Sequence, residues 1–95
     1  MKVIWTRAAF RDRLKIWEHI AEDNPSAAAQ LDEAFSRAAN RLVQHPKLGK
    51  LGKIPGTREV LPHEHYRLVY EILGPEVWIL AVVHTARQWP PLDGK

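Results

Sequence analysis

The chain contains no cysteine, so disulfide staples and thiolate metal sites are impossible and folding must rest on packing. That composition fits a reducing compartment. Glycine and proline number only 5 and 7 of 95 residues, too few together for a collagen-like or low-complexity chain. The longest apolar run, Val77 to Val83, has seven residues, against the ~20 that a membrane span needs. At the N-terminus, Val3-Ile4-Trp5 is far shorter than the apolar core of a signal peptide. A cytoplasmic protein with no membrane partner is therefore expected. Several catalytic templates are missing as well. Ser26 and Ser36 lie at a helix start and inside a helix, not in a nucleophile elbow. His63-x-His65 has no acidic helix motif beside it, and Gly49 and Gly52 lack the strand–loop–helix setting of a phosphate loop. No metal and no cofactor is expected.

What is present is an ordinary globular composition, 45% hydrophobic and 26% charged, in a length that suits one domain spanning residues 1–95. The net charge is only +3, but its distribution is uneven. From Arg37 to Arg58 the chain carries Arg37, Arg41, Lys47, Lys50, Lys53 and Arg58 with no acid between them.

Val3-Ile4-Trp5 is β-branched and aromatic and reads as a short first strand. From Arg7, the apolar positions Phe10, Leu14, Trp17 and Ile20/Ala21 repeat at helical spacing and predict an amphipathic helix with that line as its inner face. Asp23-Asn24-Pro25-Ser26 then starts a second helix, with Asn24 as N-cap and Pro25 in the first turn. Its apolar line is Leu31, Phe35, Ala38 and Leu42, and it should end at His45 because Pro46 forces the preceding residue out of helical geometry. Residues 46–56 read as a basic surface loop. Strands are expected at Thr57–Leu61, Tyr66–Ile72 and Val77–Val83, the last two as a hairpin around Gly74-Pro75. The resulting order is β-α-α-β-β-β, an α+β fold with a helical hairpin on one face of a small, mainly antiparallel sheet.

If Gly74-Pro75 alone form the turn, Ile72, Tyr70, Leu68 and Tyr66 face Val77, Ile79, Ala81 and Val83 in the core. His65, Arg67, Val69 and Glu71 then lie on the other side, opposite His84, Val82, Leu80 and Trp78. Two histidines and an arginine would converge there, provided the loop is neither one residue longer nor one shorter. Such a cluster could cleave RNA, with histidines as base and acid and Arg67, Arg58 and Arg87 steadying phosphate charge. From the spacing alone, the favoured reading is a solvated sheet face or a contact for an acidic partner. Lys47, Lys50 and Lys53 could steer nucleic acid or an acidic protein segment, or simply keep a loop solvated. Trp89, beyond the last strand, is either a target-contacting residue or a tail anchor folded back on the sheet.

Several stretches carry a resemblance. Ala27-Ala28 follows Asp23-Asn24-Pro25, and Leu42–Gly49 contains His45-Pro46. Next come Gly56-Thr57-Arg58-Glu59 and Tyr66-Arg67-Leu68-Val69-Tyr70, with Val83-His84-Thr85-Ala86-Arg87-Gln88-Trp89-Pro90 at the end. In this order they resemble the RelE/ParE superfamily of toxins from bacterial type II toxin-antitoxin modules, over nearly the whole chain. The resemblance implies a toxin that arrests growth and is neutralised by a cognate antitoxin, which wraps it with an extended or helical segment. ParE-like members poison DNA gyrase by binding; RelE-like members cut messenger RNA on the ribosome. Arg67 occupies the position of a RelE-like phosphate-binding arginine, and Arg87 lies near a second. No Tyr follows Tyr70, however, where RelE-like enzymes keep a catalytic one, and Trp89 cannot exchange that proton. The ending H-T-A-R-Q-W-P and the D-N-P helix connection resemble the ParE-like, plasmid-stabilisation branch. On that branch the target-binding residues expected are Lys47, Lys50, Lys53, Arg58 and Trp89; as a nuclease, the catalytic set would be Arg67, His84 and Arg87.

Overall fold

The computed structural model describes residues 1–91. In chain order the elements are β1 (Lys2–Trp5), α1 (Arg7–Ala21), α2 (Pro25–Gln44), β2 (Lys50–Leu51), β3 (Arg58–His63), β4 (Tyr66–Leu73) and β5 (Glu76–His84). The strands form one sheet in the order β1-β5-β4-β3-β2, antiparallel throughout except for the parallel pairing of β1 with β5. Both helices pack on one face, as the α+β reading expects. The sheet has one strand more than expected. Lys50 and Leu51, inside the anticipated basic loop, pair with Glu59 and Arg58 at the sheet edge; a two-residue strand is too short to show a period. Among the described residues, no helix is long and apolar enough to cross a membrane.

The second helix forms where its sequence signals lie. Asn24 caps it by accepting a hydrogen bond from the Ala27 amide at 3.0 Å, Pro25 occupies its first turn, and His45 leaves helical geometry at φ −131° before Pro46. Leu31, Phe35, Ala38 and Leu42 are all buried, in one cluster with Ala9, Leu68, Tyr70, Val77, Ile79 and Val82.

The first helix is rotated from its expected setting. Phe10, Leu14 and Trp17 are 59%, 46% and 41% exposed; of the expected line Ile20 does meet the core, and Ala9 and Ile16 join it there in place of the other three. Polar anchors fix this rotation. The Thr6 hydroxyl caps the helix at the Ala9 amide and also donates to the Ile79 carbonyl at 2.8 Å. Arg13 stacks on the Trp5 ring at 4.4 Å and forms a two-pronged pair with Asp32 of α2 at 2.8 and 2.9 Å. Asp12 accepts the Val82 amide at 3.0 Å, capping β5 beyond β1's last pairing at Ile79. An apolar line one residue away loses to these four attachments, because moving it inward would leave buried polar groups unpaired.

One irregularity decides which side of the sheet His84 occupies. Ile72 pairs with Val77 and Tyr70 with Ile79 as expected, but the next partners are Val69 with Ala81, Leu68 with Val82, Arg67 with Val83 and Tyr66 with His84. Leu80 has no opposite number and forms a β-bulge, which shifts every later residue of β5 by one position. A second irregularity, between Val60 and His63 of β3, contains Pro62, which has no amide to give to a ladder.

Candidate functional site

The basic loop is held on a rigid base. The Tyr70 hydroxyl, reaching up from the core, donates to the Pro46 carbonyl at 2.6 Å and accepts the Gly49 amide at 2.9 Å. Burial pushes this phenol above its ordinary pKa, and the Gly49 amide and Arg58 charge oppose the rise. Gly49 must lack a side chain, since a Cβ there would sit 2.7 Å from the Glu59 carbonyl oxygen and 2.8 Å from the Tyr70 ring. Arg58 binds the Gly49 carbonyl at 2.7 Å, and buried Glu59 accepts the Lys53 amide at 3.3 Å. Lys47, Lys50 and Lys53 are exposed above this base. Arg58, grouped with them in the sequence, is half-buried and turned inward to the loop's own backbone.

On the sheet face away from the helices, Arg67 is paired with Glu59 at 3.0 Å, their side chains only 17% and 4% exposed. This pair spans β3 and β4 and holds a charge that a free phosphate-binding arginine would keep open. Val69, Ala81 and Val83 form a small apolar cluster there, and Trp89 packs on it. The tail thus folds back on the sheet through Trp89, which stays partly exposed. Its indole nitrogen and the Arg67 Nε are both buried without a hydrogen-bond partner among the described residues.

His84 is not on that face. The expected convergence of His65, Arg67 and His84 fails because the bulge at Leu80 places Val83, not His84, beside Arg67. His84 instead meets Tyr66 edge-on at 5.1 Å and stacks on His65 at 5.7 Å, with the two imidazoles 8° from parallel. It opens into a cleft of about 310 Å³ between α1 and the end of β5, lined also by Lys15, His19, Tyr66 and Arg87. The structure therefore brings His84 and Arg87 together along one cleft and places His84 on the opposite side of the sheet from Arg67. Lys15 and His19 line this cleft although sequence reasoning does not single them out. Their signal is the spacing of Asp12, Lys15, Ile16 and His19, one face of α1 whose charges recur every three or four residues. Among the described residues, no group of three or more His, Asp or Glu side chains is placed to hold a metal ion.

Solved structures share this architecture. The chain superposes on one described as the chromosomal ParDE TA system from P. aeruginosa with a TM-score of 0.79 at 23% identity, covering 88% of this chain and 95% of that one. For a YoeB/ParE toxin from Agrobacterium tumefaciens the TM-score is 0.64 at 17% identity, covering 88% and 98%. Two helices on one face of a five-stranded sheet are therefore the fold that this chain shares with both structures. Sequence comparison narrows the class. The chain is 37% identical over 90 residues to the Sinorhizobium fredii protein named "Putative toxin Y4kP", covering 94% of this chain and 93% of that one. Residues 3–89 match the family of the ParE toxin of type II toxin-antitoxin system, parDE. The chain belongs to the ParE toxin family.

Proposed function

We propose that this toxin arrests growth by binding and poisoning DNA gyrase, without catalysing a reaction, and that a cognate antitoxin neutralises it in the cytoplasm as part of a plasmid-stabilisation type of module. The observation that carries the non-catalytic reading is the fate of Arg67. Its guanidinium is paired with a buried carboxylate, on the opposite side of the sheet from His84, an arrangement that favours binding over a shared nuclease site of Arg67, His84 and Arg87. Against that, Lys47, Lys50 and Lys53 stand exposed on a loop whose backbone is fixed at Pro46, Gly49 and Lys53. Cations on a pre-ordered support favour binding, since little freedom is lost on contact.

The exposed line Phe10, Leu14 and Trp17 supports the antitoxin part of the reading. Three large apolar side chains on successive turns form a stripe suited to a partner segment with apolar residues at matching intervals. Expressing the chain without antitoxin should stop growth, induce a DNA-damage reporter and accumulate gyrase-linked DNA breaks. Prompt cleavage of translated messages with a silent reporter would overturn the gyrase reading in favour of a ribosome-dependent nuclease.

A further inference from the structure

The cleft beside α1 takes no part in the function proposed above, yet its chemistry is selective. Lys15 and His19 enter from α1, His84 from the end of β5 and Arg87 from the turn beyond it. The cleft's carboxylate, Asp12, is already engaged by the Val82 amide at 3.0 Å. Neither Lys15 nor Arg87 has a carboxylate within ion-pair distance among the described residues. Asp12 offsets part of this charge, and the positive excess that Lys15 and Arg87 leave in a concave site attracts anions more strongly than the same charges on a flat surface.

His84 adds direction. Its Nδ1 accepts the Ala86 amide at 3.0 Å, so in the neutral ring the proton sits on Nε2, which is left as a donor. Stacking on His65 and edge contact with Tyr66 hold the ring in place. The remaining wall, formed by Ile16, Val82 and the Tyr66 ring, is apolar. A volume of about 310 Å³ is at the small end of organic ligand sites and much larger than a bare phosphate requires.

We propose that this cleft binds a nucleotide phosphate, with Lys15 and Arg87 supplying charge, His84 Nε2–H a directed hydrogen bond, and the Ile16–Val82–Tyr66 wall a seat for the base. The phosphate can come from a free mononucleotide or from a nucleic-acid strand; the ligand chemistry is the same. The site rests on neither gyrase nor the antitoxin being the partner.

The test is titration of the full chain, followed by amide chemical shifts and calorimetry, with inorganic phosphate, adenosine, adenosine 5′-monophosphate and a short single-stranded oligonucleotide. The mononucleotide should bind saturably and about tenfold more tightly than phosphate or adenosine alone, shifting amides around Lys15, Val82 and His84. Lys15→Gln and Arg87→Gln should each weaken it about tenfold, as expected for loss of a charge-assisted contact, while Lys2→Gln leaves it unchanged. Lys15 is exposed on a helix, so its variant keeps the fold and decides the matter alone if the Arg87 variant does not. An oligonucleotide that binds at least tenfold more tightly than the mononucleotide, with the same sensitivity to Lys15→Gln, identifies a strand as the source; equal affinities identify the free nucleotide. Absence of saturable binding by any of the four, or equal weakening by Lys2→Gln and Lys15→Gln, overturns the proposal. Growth arrest measured on the same variants keeps this outcome separate from that of the gyrase reading.

Discussion

Replacing Tyr70 by Phe removes one oxygen and leaves two backbone groups without their partner. The Gly49 amide is buried, so its loss of an acceptor exacts much of the desolvation cost of an orphaned donor, about 1–3 kcal/mol. The Pro46 carbonyl is only half-buried, and water can replace the hydroxyl there for a smaller loss, about 0.5 kcal/mol. Together these predict a destabilisation of about 2 kcal/mol, or a fall in Tm of about 10 °C for a chain of this size. Thermal and urea unfolding followed by circular dichroism give the number, and hydrogen exchange at Gly49 gives its location. The hydroxyl also has a pH signature. The phenol's pKa is raised above its ordinary 10.0 by burial, so the folded state holds this proton more tightly than the unfolded state. Its contribution is therefore complete below about pH 10 and is lost as pH rises through the folded-state pKa. The parent should lose stability more steeply than Tyr70→Phe above about pH 10. A loss under about 0.5 kcal/mol, with Gly49 protected as in the parent and parallel alkaline profiles, would refute the claim that this hydroxyl pins the basic loop.

Arg67→Ala should destabilise the protein by about 3 kcal/mol, because it strands the Glu59 carboxylate in the interior. The double change Glu59→Met, Arg67→Met should recover most of that loss in chemical denaturation. If Arg67→Ala unfolds like the parent, the pair is not a structural tie and a functional role for Arg67 regains force. Phe10→Ser should leave stability within about 0.5 kcal/mol, since the ring is mostly exposed and the helix propensities are similar. The same change should weaken antitoxin binding at least about tenfold, as truncating an interface aromatic does. Calorimetry of the complex checks this, and unchanged affinity would remove α1 from the antitoxin surface.

The legible parts of the fold are those where local chemistry and tertiary demand agree. Asn24-Pro25 and His45-Pro46 bracket α2, and its apolar line at Leu31, Phe35, Ala38 and Leu42 is the one buried. The β4–β5 hairpin can be read from Gly74-Pro75 as far as Tyr70 and Ile79. Beyond that point simple alternation fails, because Leu80 bulges without a Gly or Pro to mark it, and His84 changes sides. On α1 two apolar lines compete one residue apart, and Thr6, Asp12 and Arg13 decide between them through partners up to 73 residues away. Such long-range hydrogen bonds leave no local periodicity. For the same reason the inward turn of Arg58 and the burial of Arg67 are invisible in the sequence, since each depends on an atom supplied by another segment. Trp89 is readable in kind but not in place: a tail aromatic suits either a partner or the protein's own sheet, and its packing on Val69, Ala81 and Val83 depends on residues from other segments.

The single supernumerary residue at Leu80 works like a half-twist in a ribbon. Sequence neighbours on its two sides follow opposite parity, so alternation counted from the Gly74 turn is inverted by the time it reaches His84. Two relatives aligned letter for letter across this strand can therefore display the same histidine to opposite compartments of the molecule if only one of them carries the extra residue. Transferring roles along such an alignment requires the parity of each strand, counted through its bulges, as well as the identity of each letter.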